Sequence, residues 1–296
     1  MTAVGVPAPP QAFEVSPSAL LFYLVYLPTI WSFALSMLRR LDSMPAEDSR
    51  RARPLAVAHT LLASGDTAMF VAFSTVFFFG GPTGGGLGAE RGLTLIAFGI
   101  FSTSVTMSCF YFFLALYYRR SYAHGRWNHY LTAVVVLFLA RLLAHYNPYN
   151  VWLSMSLGPG VPNHSAWVRN LPLFAYGLLV VALCLAGAWR GWRRAERPGE
   201  RLRHRWIGCA MIALAFSFAF YAVDVFFAHA IERSWIWMTY SFKTVAYVAA
   251  LLAFWRAEFG LARPRLALAG EGPRTALGAA AGASQATAAA RLRAGH

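Results

Sequence analysis

The chain of 296 residues holds one lysine, three cysteines and 12 acidic residues, and only 13% of it is charged. Each scarcity excludes something. Soluble globular domains carry about a quarter charged residues, so a chain that is 58% hydrophobic, with a mean hydropathy of +0.47, is built for lipid as its solvent. Cys109, Cys184 and Cys209 all fall within apolar blocks, which argues against a disulfide framework and for small buried thiols. The first eighteen residues contain no Lys or Arg and so lack the basic region of a secretory signal; the first apolar block is expected to stay in the mature protein. Neither an HExxH motif nor a GxSxG elbow occurs, so no metal is expected and hydrolysis has no strong signal. The run FFFGGPTGGGLGAERG lacks the Lys-Ser/Thr ending of a phosphate cradle and reads as a flexible turn.

What the chain does have is seven apolar blocks, at residues 18–38, 55–80, 93–117, 128–146, 168–189, 206–228 and 234–255. Each is long enough to cross about 30 Å of hydrocarbon as a helix. The arginines punctuate them. Arg39, Arg40, Arg50, Arg51 and Arg53 follow block 1, Arg119, Arg120 and Arg126 follow block 3, and Arg190, Arg193, Arg194, Arg197, Arg201, Arg203 and Arg205 follow block 5. The alternate connections hold only Arg91 and Arg233. Under the positive-inside rule this predicts an all-α polytopic membrane bundle of seven transmembrane helices, N-terminus outside and C-terminus cytoplasmic. In that setting a net charge of +14 is a topology signal, and no nucleic acid is expected as a partner. Tryptophans such as Trp127, Trp152, Trp167, Trp189, Trp206, Trp235 and Trp255 cluster near block ends as interfacial anchors. The expected organisation is an extracytoplasmic segment over 1–17, the bundle over 18–256 and a disordered cytoplasmic tail over 257–296, rich in Ala, Gly, Pro and Arg.

A few ionisable groups remain within or at the edge of the blocks. A charge in hydrocarbon costs several kcal/mol, so each should face the bundle interior, a wet cavity or the headgroups. Lys243, the only lysine, lies near the midplane of block 7, and Asp66 lies at similar depth in block 2 within HTLLASGDTAMF. An Asp66–Lys243 pair is the simplest way to neutralise both, with Asp224 the rival partner. Arg141 and His145 stand four apart on block 4 and share a face. With Arg169 and Asn170 at the start of block 5, and Tyr221 and Asp224 near the outer end of block 6, they are expected to form an outward-opening polar pocket under the loop HYNPYNVW. The alternative is a set of interfacial anchors and a structural ion-pair network. In block 3, Ser102, Thr103, Ser104, Thr106 and Ser108 suit close helix approach and bonds to backbone carbonyls.

The stretches HTLLASGDTAMF, FGIFSTSVTMSCFYFF, ARLLAHYNPYNVW, WVRNLPLFAYGLLVV and SFKTVAYV, in this order, resemble a family of uncharacterised seven-span bacterial membrane proteins. The resemblance covers residues 55 to 255 and rests on Gly65-Asp66, on Arg169-Asn170 followed by Pro172, and on Lys243-Thr244 followed by Tyr247. Members often have a histidine after the Gly-Asp pair and a proline before the lysine, where this chain has Met69 and Phe242. The resemblance implies a bacterial inner-membrane protein and marks those residues as a set, Tyr247 included, without implying an activity.

Several functions fit. Binding or transport of a small anionic or amphiphilic molecule would use Asp66, Arg141, His145, Arg169, Asn170, Asp224, Lys243 and Tyr247, with membrane lipid as surroundings. A signalling or structural protein would need no substrate, and a lipid-modifying enzyme would use Asp66 or a histidine as base. A retinal-type photoreceptor would carry its Schiff base on Lys243, with Asp66 or Asp224 as counterion because block 3 holds no acid. No cofactor is assigned, and protein partners are left open.

Overall fold

The computed structural model describes residues 17–79, 88–146, 164–226 and 233–260. Among them are seven α-helices: α1 (Pro17–Leu41), α2 (Ala46–Phe79), α3 (Gly88–Ser121), α4 (His129–Tyr146), α5 (His164–Arg194), α6 (Pro198–Phe226) and α7 (Arg233–Phe254). A π-helical turn, Trp255–Gly260, continues directly from α7. The protein is an all-α bundle. α1, α2, α3, α5 and α6 each contain a stretch long and apolar enough to cross a membrane, and α4 holds a shorter apolar helix, His129–Ala144. Side chains such as Val25, Phe78, Leu143 and Val245 are more than two-thirds exposed on the outside of the bundle. That outward apolar surface suits acyl chains and marks a polytopic membrane protein.

Several helices outrun the apolar blocks at their arginine-rich ends. α2 begins at Ala46, about two turns before the block at 55, and α6 begins at Pro198, two turns before the block at 206. Hydropathy marks only the part of a helix that sits in hydrocarbon; the backbone ladder continues into the polar layer, where Arg50, Arg51, Arg53, Arg201, Arg203 and Arg205 ride on it. α5 likewise begins at His164, which puts Pro172 two turns inside the helix and not at its opening.

α2 packs along α3, α6 along both α5 and α7, and α1 against α2, while α3 also meets α4 and α5. α2 and α3 meet in a close seam. A Cβ added at Gly65 would overlap the Thr106 side chain, so only glycine lets the two backbones approach this far. Thr103 donates its hydroxyl to the Gly65 carbonyl at 3.1 Å, Thr106 to the Ser102 carbonyl at 3.0 Å and Ser108 to the Ser104 carbonyl at 2.8 Å. The small hydroxylated face of α3 therefore spends its donors on backbone while closing the seam. Gly65→Val should force Thr106 and α3 outward at a cost of about 1–3 kcal/mol, seen as a lower midpoint of thermal unfolding in detergent. An unchanged midpoint would mean that the seam accommodates a larger side chain at position 65.

The arginine-rich ends of the helices gather at one end of the bundle. Arg120 donates to the Arg50 carbonyl across α3 and α2 at 2.5 Å, and Tyr122 bonds His204 of α6 at 3.3 Å. Trp127 and Trp189 are about half exposed near helix ends, each with an arginine about 5 Å from its ring (Arg119 at 5.2 Å, Arg193 at 5.1 Å). This is the arrangement of an interfacial aromatic girdle.

Candidate functional site

A cavity of about 230 Å³ lies inside the bundle between α1, α2, α3, α6 and α7. Its wall is a set of helical stripes. Leu62, Asp66 and Met69 of α2 recur at spacings of four and three, as do Thr103, Met107, Phe110 and Tyr111 of α3 and Leu214, Ser217, Phe218 and Tyr221 of α6. Such spacing turns one face of each helix toward the same space. Tyr23 and Tyr26 of α1 and Lys243, Thr244 and Tyr247 of α7 complete it. The lining is mainly aromatic and aliphatic with a few polar groups, the usual makeup of a small-molecule site.

Asp66 is buried, 8% exposed, and its Oδ2 accepts the Tyr26 hydroxyl at 2.8 Å. Next to it Thr67 accepts the Trp31 indole N–H at 2.9 Å, so two α1–α2 bonds set the rotation of the helix that presents the carboxylate. Lys243 stands on α7, half-buried, with Nζ 5.5 Å from the centroid of the Tyr221 ring. Asp66 and Lys243 share a cavity wall, and no ion pair within 4.0 Å joins the one directly to the other.

Toward the arginine-rich end the cavity gives way to an aromatic layer. His59, two turns from Asp66 on α2, shares a 2.9 Å hydrogen bond between Nδ1 and the Tyr247 hydroxyl. Its ring meets Phe110 and Phe254 edge-on at 5.2 and 5.7 Å. Beyond lies a buried ion cluster. Glu258, in the π-helical turn, has a fully buried side chain and accepts from Tyr117 of α3 at 2.5 Å, from Arg203 of α6 at 2.5 and 2.8 Å, and from Arg51 of α2 at 3.3 and 3.4 Å. Burial pushes the Glu258 carboxyl up, but Arg203, then Arg51, and the bonds from Arg203 and Tyr117 outweigh it and hold the group down at about 2. The same turn is tied to α1, where Arg40 donates to the Phe259 carbonyl and Ser36 accepts the Trp255 indole N–H at 3.1 Å. Four helices thus hold one turn of chain.

Of the residues singled out in the sequence, Asp66, Lys243, Tyr247 and Tyr221 line the cavity. Asn170 is buried behind the wall and accepts the Tyr221 hydroxyl at 3.2 Å. Arg141 lies elsewhere: fully buried, it donates from Nε to Ser108 Oγ at 3.4 Å, in the seam where Tyr176 of α5 also bonds the Ser108 carbonyl. The side chains of His145, Arg169 and Asp224 lie outside the described residues, although their backbones belong to α4, α5 and α6. The loop 147–163 is also outside them. The packed chain continues through Phe259, beyond the expected start of the tail at 257; residues 261–296 lie outside the described residues. Sequence reasoning missed Tyr26, His59, Tyr117, Arg51, Arg203 and Glu258. The available signal was a lone acid, Glu258, set just after an apolar block at the arginine-bearing end.

The described residues contain no group of three or more His, Cys, Asp or Glu side chains placed to hold a metal. No protein-family model matches the chain, and no curated protein matches it either.

Proposed function

We propose that the chain is a seven-span protein of a bacterial inner membrane, with its arginine-rich end in the cytoplasm, that binds a small amphiphilic molecule for uptake or sensing. One observation carries this reading: a cavity in the bundle core whose aromatic wall presents both a buried carboxylate, Asp66, and an amine, Lys243. A bundle with no ligand gains nothing from placing two ionisable groups around empty space, since each costs several kcal/mol in hydrocarbon. The aromatic layer at His59 and the ion cluster at Glu258 separate the cavity from the arginine-rich end, so the reading has the ligand entering from the opposite face. The charge bias of the loops and the resemblance to seven-span bacterial proteins support the span count and orientation.

The test is water access. With Cys109, Cys184 and Cys209 replaced by alanine, Thr244→Cys on the cavity wall should react with a membrane-impermeant thiol reagent added outside whole cells. Val245→Cys, one residue on and 67% exposed on the outer surface of the bundle, should stay unmodified because a thiol in lipid does not ionise. Equal inertness of the two cysteines would count against a cavity open to the outside.

A further inference from the structure

Away from the cavity, and whatever the cavity holds, we infer that the α2–α3 seam at the arginine-rich end binds the headgroup of a phospholipid carrying two phosphates. Four guanidinium groups gather there. Arg50 and Arg53 stand three apart on α2 and so share a face, and Arg119 and Arg120 close the last turn of α3. Arg120 reaches across the seam to donate to the Arg50 carbonyl at 2.5 Å, and it lies near enough to Arg50, Arg119 and Arg53 to feel the charge of each. Arg119 donates its Nε to the Gly125 carbonyl at 2.8 Å and stands 5.2 Å from the Trp127 ring. Among the described residues none of the four has a carboxylate within 4.0 Å: Asp48 pairs with Arg51 instead, and Glu47, one turn before Arg50, pairs with none of them. The positive-inside rule asks only that such charges lie in the connections. It does not require four of them to be drawn together, where they repel one another until an anion sits among them.

The level of the cluster selects a lipid. Arg50 and Arg53 come just before the apolar block at 55, Arg119 and Arg120 just after the one ending at 117, and the half-exposed Trp127 beside Arg119 marks the headgroup layer. Phosphates lie at that depth, and their acyl chains would run along the apolar outside of the bundle. A guanidinium holds a phosphate through two parallel N–H···O bonds. Arg50 joins the seam through its carbonyl alone, which leaves its guanidinium, like that of Arg53, exposed and open to a ligand. A single phosphate would meet one pair of arginines; two phosphates on a short bridge would span the seam, one at the α2 pair and one at the α3 pair. The α5–α6 connection offers the contrast. Glu196 and Glu200 lie among its arginines, Arg203 is bound to Glu258, and Arg201 donates to the Ala195 carbonyl at 3.0 Å.

Native mass spectrometry of the full chain in detergent, titrated with cardiolipin or with phosphatidylglycerol at equal phosphate concentration, tests this. Cardiolipin should bind the wild type at least about ten-fold more tightly, the effect of one further charged hydrogen-bonded contact. Arg50→Gln with Arg53→Gln removes two exposed guanidiniums and none of the bonds described above, and should cut that preference to about three-fold or less. Arg194→Gln with Arg197→Gln, the same loss of charge at exposed positions of the α5–α6 connection, should leave it within about two-fold of wild type. Should the α2 pair fail to fold, Arg50→Gln or Arg53→Gln alone is set against Arg194→Gln. Equal losses at the two places would assign the preference to overall charge and overturn the inference. So would a wild type that holds phosphatidylglycerol as tightly as cardiolipin, which makes this a single-phosphate surface. Displacement of cardiolipin by an equal concentration of inorganic pyrophosphate would overturn it in favour of a soluble anion.

Discussion

Glu258→Ala should destabilise the protein by about 3–5 kcal/mol, the effect of stripping one partner from a buried ion pair. The side chain is fully buried and receives Tyr117, Arg203 and Arg51 at once. Alanine leaves the guanidinium of Arg203, only 14% exposed, facing an empty space, and leaves the Tyr117 hydroxyl without its acceptor. Arg51 suffers less: it is 26% exposed and keeps Asp48 at 2.7 Å. Arg203 and Tyr117 therefore carry most of the loss. Adding Arg203→Met to Glu258→Ala should recover part of it, because the second change removes the orphaned charge. Chemical unfolding in detergent measures both, and a Glu258→Ala midpoint equivalent to a change within about 0.5 kcal/mol would show that the cluster contributes little. The variant should also release the turn 255–260 to protease at the arginine-rich end, since Glu258 ties that turn to α2, α3 and α6 and only the α1 contacts of Trp255 and Phe259 would remain.

The helical character and the lipid-facing surface were legible because they depend on composition and length alone: apolar blocks, arginines at their ends, tryptophans beside them. The depth argument also located Asp66 and Lys243, since a charge in an apolar run must turn inward wherever the helices lie. Which inward-facing groups share a space was not legible. Arg141 and Lys243 carry the same warning sign in the sequence, yet Arg141 lies in the α3–α4–α5 seam at Ser108 and Lys243 on the cavity wall. The rotation and neighbours of each helix decide that, and they depend on packing such as the Gly65–Thr106 approach, which one sequence does not display. Glu258 was missed for a related reason. Its local composition matches that of a solvated tail, and only the convergence of Arg51, Tyr117 and Arg203 from three distant helices makes it a buried group.

Acid should unfold the protein through the same carboxylate. The Glu258 carboxyl titrates at about 2 in the folded chain against the 4.5 usual for glutamate, so the folded state binds fewer protons than the unfolded chain between those values. Stability therefore rises with pH across that window. The contribution is complete above about pH 4.5 and is lost as pH falls through about 2. At 1.36 kcal/mol per unit it amounts to about 3 kcal/mol, the same order as the loss expected from deleting the side chain. Unfolding midpoints taken from pH 6 down to pH 2 should fall steeply below about pH 4.5 in the wild type. Glu258→Gln should start lower and fall less steeply in that window, because its amide has no proton to gain. Parallel curves for the two proteins would assign the acid sensitivity to other carboxylates and rule out strong coupling of Glu258 to Arg203 and Arg51.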